Sequence, residues 1–120
     1  MSDIQWSDGA PIYRQLKERV IAMMLDGIIK PGDALPSVRQ VAADYQLNPI
    51  TVSRAYQELA DEGLVEKRRG LGMFMTDEAA TQLRSSERDR FLNEEWPAVL
   101  ERIQRLGLDV NELLTQGKLS

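Results

Sequence analysis

The 120-residue chain contains neither cysteine nor histidine. That double absence removes thiol nucleophiles, disulfides, imidazole bases and nearly every zinc or copper site in one step. Catalysis would have to rest on carboxylates, lysine or hydroxyls, and no glycine-rich phosphate loop follows a strand pattern, so an enzyme is not expected. The adjacent acids Asp61-Glu62 and Glu94-Glu95 diverge on a helix, and nothing supplies the other oxygens a hard cation needs; they read as solvated faces, with no metal or cofactor implied. Also missing is any run near the ~20 apolar residues of a membrane span. The N-terminal MSDIQWSDGAP lacks the basic start and apolar stretch of a signal peptide, so a cytoplasmic protein without membrane attachment is expected.

A basic surplus is lacking too. The net charge of −4 taken alone argues against a nucleic-acid binder. Its distribution is uneven: residues 1–76 hold nine Lys/Arg against ten Asp/Glu, residues 77–120 six against nine, and Lys67, Arg68 and Arg69 are consecutive. A basic point on a near-neutral module is therefore available. The length allows one domain, or one small domain with an appendage, and 42% hydrophobic with 28% charged residues is an ordinary soluble composition.

The periodicity supplies the elements. In PIYRQLKERVIAMMLD, Ile12, Leu16, Val20, Met23 and Met24 share one helical face, with Pro11 at the first turn and Gly27 at the end. The next stretch, IIKPGDALP, reads as a connector. Ser37 and Gln40 have the spacing of a capping box at the start of a short helix with Val38, Val41, Ala42 and Tyr45 inward. Only Gln46 and Leu47 then precede Asn48-Pro49, an N-cap and a first-turn proline, which open a third helix that buries Val52, Ala55, Tyr56 and Leu59 and stops at Gly63. Two helices joined so tightly form a helix-turn-helix. LVEKR and MFMT suit short strands with RGLG turning between them, which adds a wing.

Residues 77–120 begin polar. Leu92, Trp96, Val99, Ile103 and Leu106 then fall at spacings of 4, 3, 4 and 3, a two-heptad seam with Pro97 inside it, where a kink or a new first turn is expected. Gly107 ends that helix, and Asp109 with Glu112 caps a last one. The expected fold is mainly α with a small β-wing: a winged helix-turn-helix over 1–76, followed by a short helical dimerisation segment over 77–120.

A helix lying in the major groove needs a neighbour that holds phosphates, and a basic hairpin with glycine at its tip suits that task, which gives Lys67, Arg68, Arg69 and Gly70 a role. Pro49, Ile50, Thr51, Ser53, Arg54 and Gln57 lie off the buried stripe of the third helix. Exposed Ile50 matches a thymine methyl or covers part of the core; Arg54 reads guanine, pairs with Glu58 or reaches a phosphate; Gln57 reads adenine. Arg39, near a helix N-terminus, shares a phosphate with it or pairs with Asp33 or Asp44. The methionines Met23, Met24, Met73 and Met75 read as core filler.

The run LPSVRQVAADYQLNPITVSRAYQELADEGLVEKRRGLGMF, preceded by PIYRQL and GIIKPGD, resembles the DNA-binding domain of GntR-family bacterial transcription regulators over residues 11–76. The short tail with RLGLDVNELL resembles the YtrA subfamily. The resemblance implies a homodimeric repressor of double-stranded DNA that binds an inverted repeat. It also implies DNA contacts near Ser37, with Arg39 on a phosphate or base, Asn48, Thr51 and Ser53 at the helix start, and Gly70 at the wing tip. Many relatives carry arginine where Ser53 stands and threonine where Met73 stands, so the resemblance does not imply the family's base preference for this chain. The rival reading is a winged helix serving as a protein or RNA interaction module, which suits the acidic total. Forty-four tail residues are few for a closed ligand pocket of ~300 Å³ or more, which leaves the space between subunits for an unidentified small effector.

Overall fold

A computed structural model of the chain describes residues 6–116. The order is α1 (Ile12–Leu25), α2 (Val38–Tyr45), α3 (Pro49–Asp61), β1 (Val65–Arg68), β2 (Gly72–Met75), α4 (Ala79–Arg90), a π turn (Phe91–Glu95), α5 (Trp96–Arg105) and α6 (Val110–Gln116). Two compact units share these elements, one up to Arg84 and one from Ser85.

In the first unit, α1 turns Leu16, Val20 and Met24 inward, one per helical turn, and α3 adds Val52, Ala55, Tyr56 and Leu59. Val52, Leu59, Leu64 and Met75 are the largest fully buried side chains. Each contributes roughly 1.5–3 kcal/mol of burial, so the α3 and wing contributions hold the centre of the core. Outside it, Lys17 on α1 pairs with both Glu62 and Glu58, the latter at 3.3 Å, and ties α1 to α3. Burial alone would lower the Lys17 pKa; the hydrogen bonds and charges of Glu62 and Glu58 outweigh it, and the pKa is raised.

β1 and β2 pair antiparallel, with Val65 opposite Met75, Glu66 opposite Phe74, Lys67 opposite Met73 and Arg68 opposite Gly72. The connector after α1 is more than a connector. Gly32 N–H donates to the Met75 carbonyl at 2.9 Å, Leu35 N–H to the Met73 carbonyl at 2.8 Å, and Met75 N–H to the Asp33 carbonyl at 2.9 Å. It therefore lies along β2 as an extra edge, bridged at Ala34 and Phe74, and satisfies backbone groups that an isolated hairpin would leave to water. Packing also carries the first unit past residue 76, where the sequence pattern set the boundary, because Ala79 and Leu83 of α4 are buried in its core.

In the second unit, Pro97 decides the local geometry. It has no N–H to donate, and its ring would crowd the carbonyl four residues back in a regular helix. The preceding turn widens instead: Trp96 N–H donates to the Phe91 carbonyl, five residues back, and α5 restarts with Pro97 in its first turn. The heptad seam is thus not one uninterrupted helix. Leu92 stands in the π turn, Trp96, Val99 and Ile103 on α5, and Leu106 at its C-cap. At the start of α6, Asp109 Oδ1 accepts from Asn111 N–H at 2.8 Å. Among the described residues no helix is long and apolar enough to cross a membrane, and no cluster of three or more acidic side chains is placed to hold a metal ion.

Candidate nucleic-acid interface

Local chemistry positions the two helices that would meet a duplex. Ser37 Oγ accepts from Gln40 N–H at 3.0 Å and starts α2. Gln46 takes the left-handed conformation (φ 55°), and Leu47 N–H returns to the Ala42 carbonyl at 2.9 Å, so α2 stops within two residues of the next cap. Asn48 Oδ1 then accepts from Ile50 N–H at 2.9 Å, with Pro49 supplying a preset first turn. Tyr56 locks the arrangement from beneath. Its hydroxyl donates to the Pro36 carbonyl at 2.6 Å, which joins α3 to the strand-like segment entering α2. Burial pushes the Tyr56 pKa up to about 12, with Tyr45 adding to the shift.

Above this tyrosine lies a groove of about 340 Å³, bordered by Ser37 and Val38 of the α2 start, Ser53 and Gln57 of α3, and Lys67, Leu71 and Met73 of the wing. Alternation along the hairpin explains the wing's share. Val65 and its partner Met75 face the core, so Lys67 and Met73, two residues nearer the tip, continue on the same side and reach the groove. Glu66, Arg68 and Phe74 occupy the other side. There Arg68 Nη2 lies 3.1 Å from Glu66 Oε1, and its guanidinium sits 4.3 Å from the Phe74 ring centre. Gly70 (φ 78°) and Gly72 (φ 108°) bracket the tip, a backbone that side chains other than glycine rarely adopt.

Of the DNA-contact candidates singled out in the sequence, the groove gathers Ser37, Ser53, Gln57 and Lys67, together with Val38, Tyr56 and Met73 that were read as core. Arg39, Asn48, Pro49, Ile50, Thr51, Arg54, Arg68, Arg69 and Gly70 lie outside its walls. Ile50 is 75% exposed, so it does not cover the core. Arg39 forms no ion pair among the described residues, and Asp33 instead accepts from Lys30 N–H at 2.9 Å. Gln57 Nε2 donates to Asp61 Oδ1 at 2.9 Å, which commits its amide along the helix. Arg54 does not pair with Glu58; its guanidinium lies 3.8 Å from the ring centre of Tyr13 on α1. Tyr13 and Leu71 were not singled out from sequence. Leu71, 69% exposed between two glycines, was visible there as an apolar residue in a turn, whereas a ring 41 positions before Arg54 carries no local signal.

In the second unit, Leu92, Val99 and Leu106 are 49%, 46% and 61% exposed, while Trp96 and Ile103 are half-buried. Phe91 stacks on Trp96 at 6.4 Å and widens the apolar surface.

The sequence model of bacterial regulatory proteins, gntR family, matches residues 12–75. The HTH-type transcriptional repressor YtrA of Bacillus subtilis (strain 168) is 45% identical over 83 residues, which make up 69% of this chain and 64% of that repressor, just under two thirds of its length. The HTH-type transcriptional regulator YhcF of the same organism is 33% identical over 112 residues, covering 93% of this chain and 91% of the relative. Among solved structures, a GntR family transcriptional regulator from Listeria monocytogenes is similar with a TM-score of 0.76 at 26% identity, covering 96% of this chain and 99% of the other.

Proposed function

The chain belongs to the gntR family of bacterial regulatory proteins and is a DNA-binding transcription regulator, and from that premise we propose that it acts as a homodimeric repressor on an inverted-repeat operator. The observation that carries the reading is the shared groove, where the α2 start, the outward face of α3 and the inner face of the wing meet. On this reading α3 enters the major groove with Ile50, Thr51 and Ser53 toward the base edges. Arg39 and the α2 N-terminus meet one phosphate, and Lys67, Arg69 and the backbone at Gly70 meet others. We assign no catalytic step, since the relatives carry the names of regulators.

The tail would supply the second half-site. Of the apolar residues Leu92, Trp96, Val99, Ile103 and Leu106, the described chain leaves Leu92, Val99 and Leu106 exposed and Trp96 and Ile103 half-buried, which is the kind of surface a second copy covers. Joined there, two α3 helices can meet half-sites ~34–36 Å apart, or a multiple of that.

Selection of bound duplexes from random DNA, coupled to sedimentation, tests both halves of the proposal. The expected result is a palindromic motif and a dimer. Val99→Asp with Ile103→Asp would place charge in the seam, and that protein should sediment as a folded monomer stripped of most operator affinity. Enrichment of no motif would reject the operator, and a persistent dimer at micromolar concentration would move the interface away from this stripe.

A further inference from the structure

We propose that Arg54 and Tyr13 form a preset contact for a DNA phosphate beside α3, in which Arg54 touches the backbone and Tyr13 is its positioning residue; the role rests on the DNA-binding reading above. Arg54 is exposed, one turn beyond Ile50, yet its guanidinium is not loose: it lies over the Tyr13 ring with 3.8 Å between guanidinium carbon and ring centre. A partner closer in sequence was available. Glu58 follows Arg54 by one helical turn, the spacing at which an arginine and a glutamate commonly pair. Lys17 holds Glu58 at 3.3 Å and Glu62 as well, and Lys17 itself sits one turn after Tyr13 on α1. Two consecutive turns of α1 thus sort the charges of α3, with the lysine neutralising the carboxylates and the tyrosine receiving the cation.

What the stack leaves over is the useful part. An aromatic ring engages the face of a guanidinium, whereas the five N–H donors point outward in its plane. Among the described residues no hydrogen bond or ion pair occupies those donors. A salt bridge to Glu58 would have consumed two of them and cancelled the charge. The side chain is therefore ordered in advance while its recognition edge stays open, which reduces what binding must immobilise. Its direction matters as well. Arg54 leans to the α1 side of α3 and does not border the groove where Ser53 and Gln57 stand. A guanidinium there flanks the face that would enter the duplex, which suits a phosphate oxygen better than a base edge.

The test uses the full chain and two labelled duplexes of about 30 base pairs, one carrying the motif wild-type protein selects and one of random sequence, titrated from ~50 to ~200 mM salt. Arg54→Ala should weaken binding to both duplexes, flatten the log–log salt slope by ~0.9, and leave the selected motif unchanged. Arg54→Lys should keep the slope and lose about two- to fivefold in affinity. Tyr13→Phe keeps the ring and should stay within about twofold of wild type, while Tyr13→Leu should lose about two- to fivefold, and nothing further when Arg54 is already alanine. A changed base preference without a changed slope in Arg54→Ala would overturn the phosphate assignment. An equal cost of Tyr13→Leu with and without Arg54 would reduce Tyr13 to packing. Should Tyr13→Leu fail to fold, Arg54→Lys decides: affinity equal to wild type overturns the stack. If wild type selects no motif, the operator reading fails while the random duplex still reports the phosphate contact; binding to neither duplex overturns both.

Discussion

The three consecutive basic residues of the wing should not behave as equals, and the difference can be measured. Lys67 borders the groove with Ser53 and Gln57. Arg68 lies on the opposite side of the hairpin, held by Glu66 at 3.1 Å and laid against Phe74. Arg69 occupies the turn and has no ion pair among the described residues. Deleting a side chain that neutralises one phosphate should lower the log–log salt slope by ~0.9. If Lys67 and Arg69 neutralise one phosphate each, replacing all three residues by alanine flattens the slope by ~1.8, where three equal participants would give ~2.7. Over a fourfold change in salt, from ~50 to ~200 mM, each phosphate left unneutralised makes the fall in affinity about three- to fourfold smaller. Fluorescence anisotropy on a duplex, run for the single variants and the triple, resolves these values. Lys67→Ala and Arg69→Ala should each flatten the slope by about one unit, Arg68→Ala should leave it nearly unchanged, and none should alter the preferred base. A slope flattened by a full unit in Arg68→Ala would show that its pair with Glu66 opens on binding, and an unchanged slope in the triple variant would remove the wing from the interface.

The parts of this site that were legible in the sequence are those in which the interacting residues are neighbours along the chain. Val52, Ala55, Tyr56 and Leu59 follow the helical period, and Asn48-Pro49 announces its own cap, so α3 and its outward face could be drawn from residues alone. Pairings between distant segments left no such mark. IIKPGDALP carries the prolines of a loop, and only the positions of Met73 and Met75 reveal that its backbone pairs with β2. The opposite facing of Lys67 and Arg68 depends on the hairpin register, which the turn glycines narrow but do not fix. Arg54 had an obvious partner in Glu58, and the competition from Lys17 and Tyr13 becomes apparent only once α1 crosses α3. In the tail, Pro97 forecast an interruption by local sterics, but whether the chain kinks or widens into a π turn depends on several residues together. α4 went unread because its sequence is polar, with Ala79 and Leu83 its only buried residues.

Three further outcomes follow from particular residues of α3 and its cap. Asn48→Ala removes the acceptor of the Ile50 N–H and should destabilise the fold by about 1 kcal/mol in urea denaturation; Asn48→Asp should retain the cap and the stability while weakening DNA binding through its added charge, and equal stability of all three proteins would refute the cap's contribution. Thr51→Ala or Ser53→Ala should change the motif selected from random DNA with little change in salt slope, whereas an unaltered motif would confine these hydroxyls to positioning the helix. The Tyr56 hydroxyl predicts an alkaline limit. Its pKa stands near 12 in the folded chain against ~10 when unfolded, so below pH 10 both states hold the proton and the stabilisation is complete. Between pH 10 and 12 the unfolded chain releases a proton that the folded chain keeps, and stability falls by about 1.4 kcal/mol per pH unit, reaching roughly 2–3 kcal/mol. Tyr56→Phe forfeits the bond to the Pro36 carbonyl, at a cost of about 1 kcal/mol near neutrality, but has no proton to lose. Its stability curve should therefore run below that of wild type at pH 8, converge with it above pH 10 and cross it before pH 12; two curves falling in parallel would show that the hydroxyl is not the group that titrates.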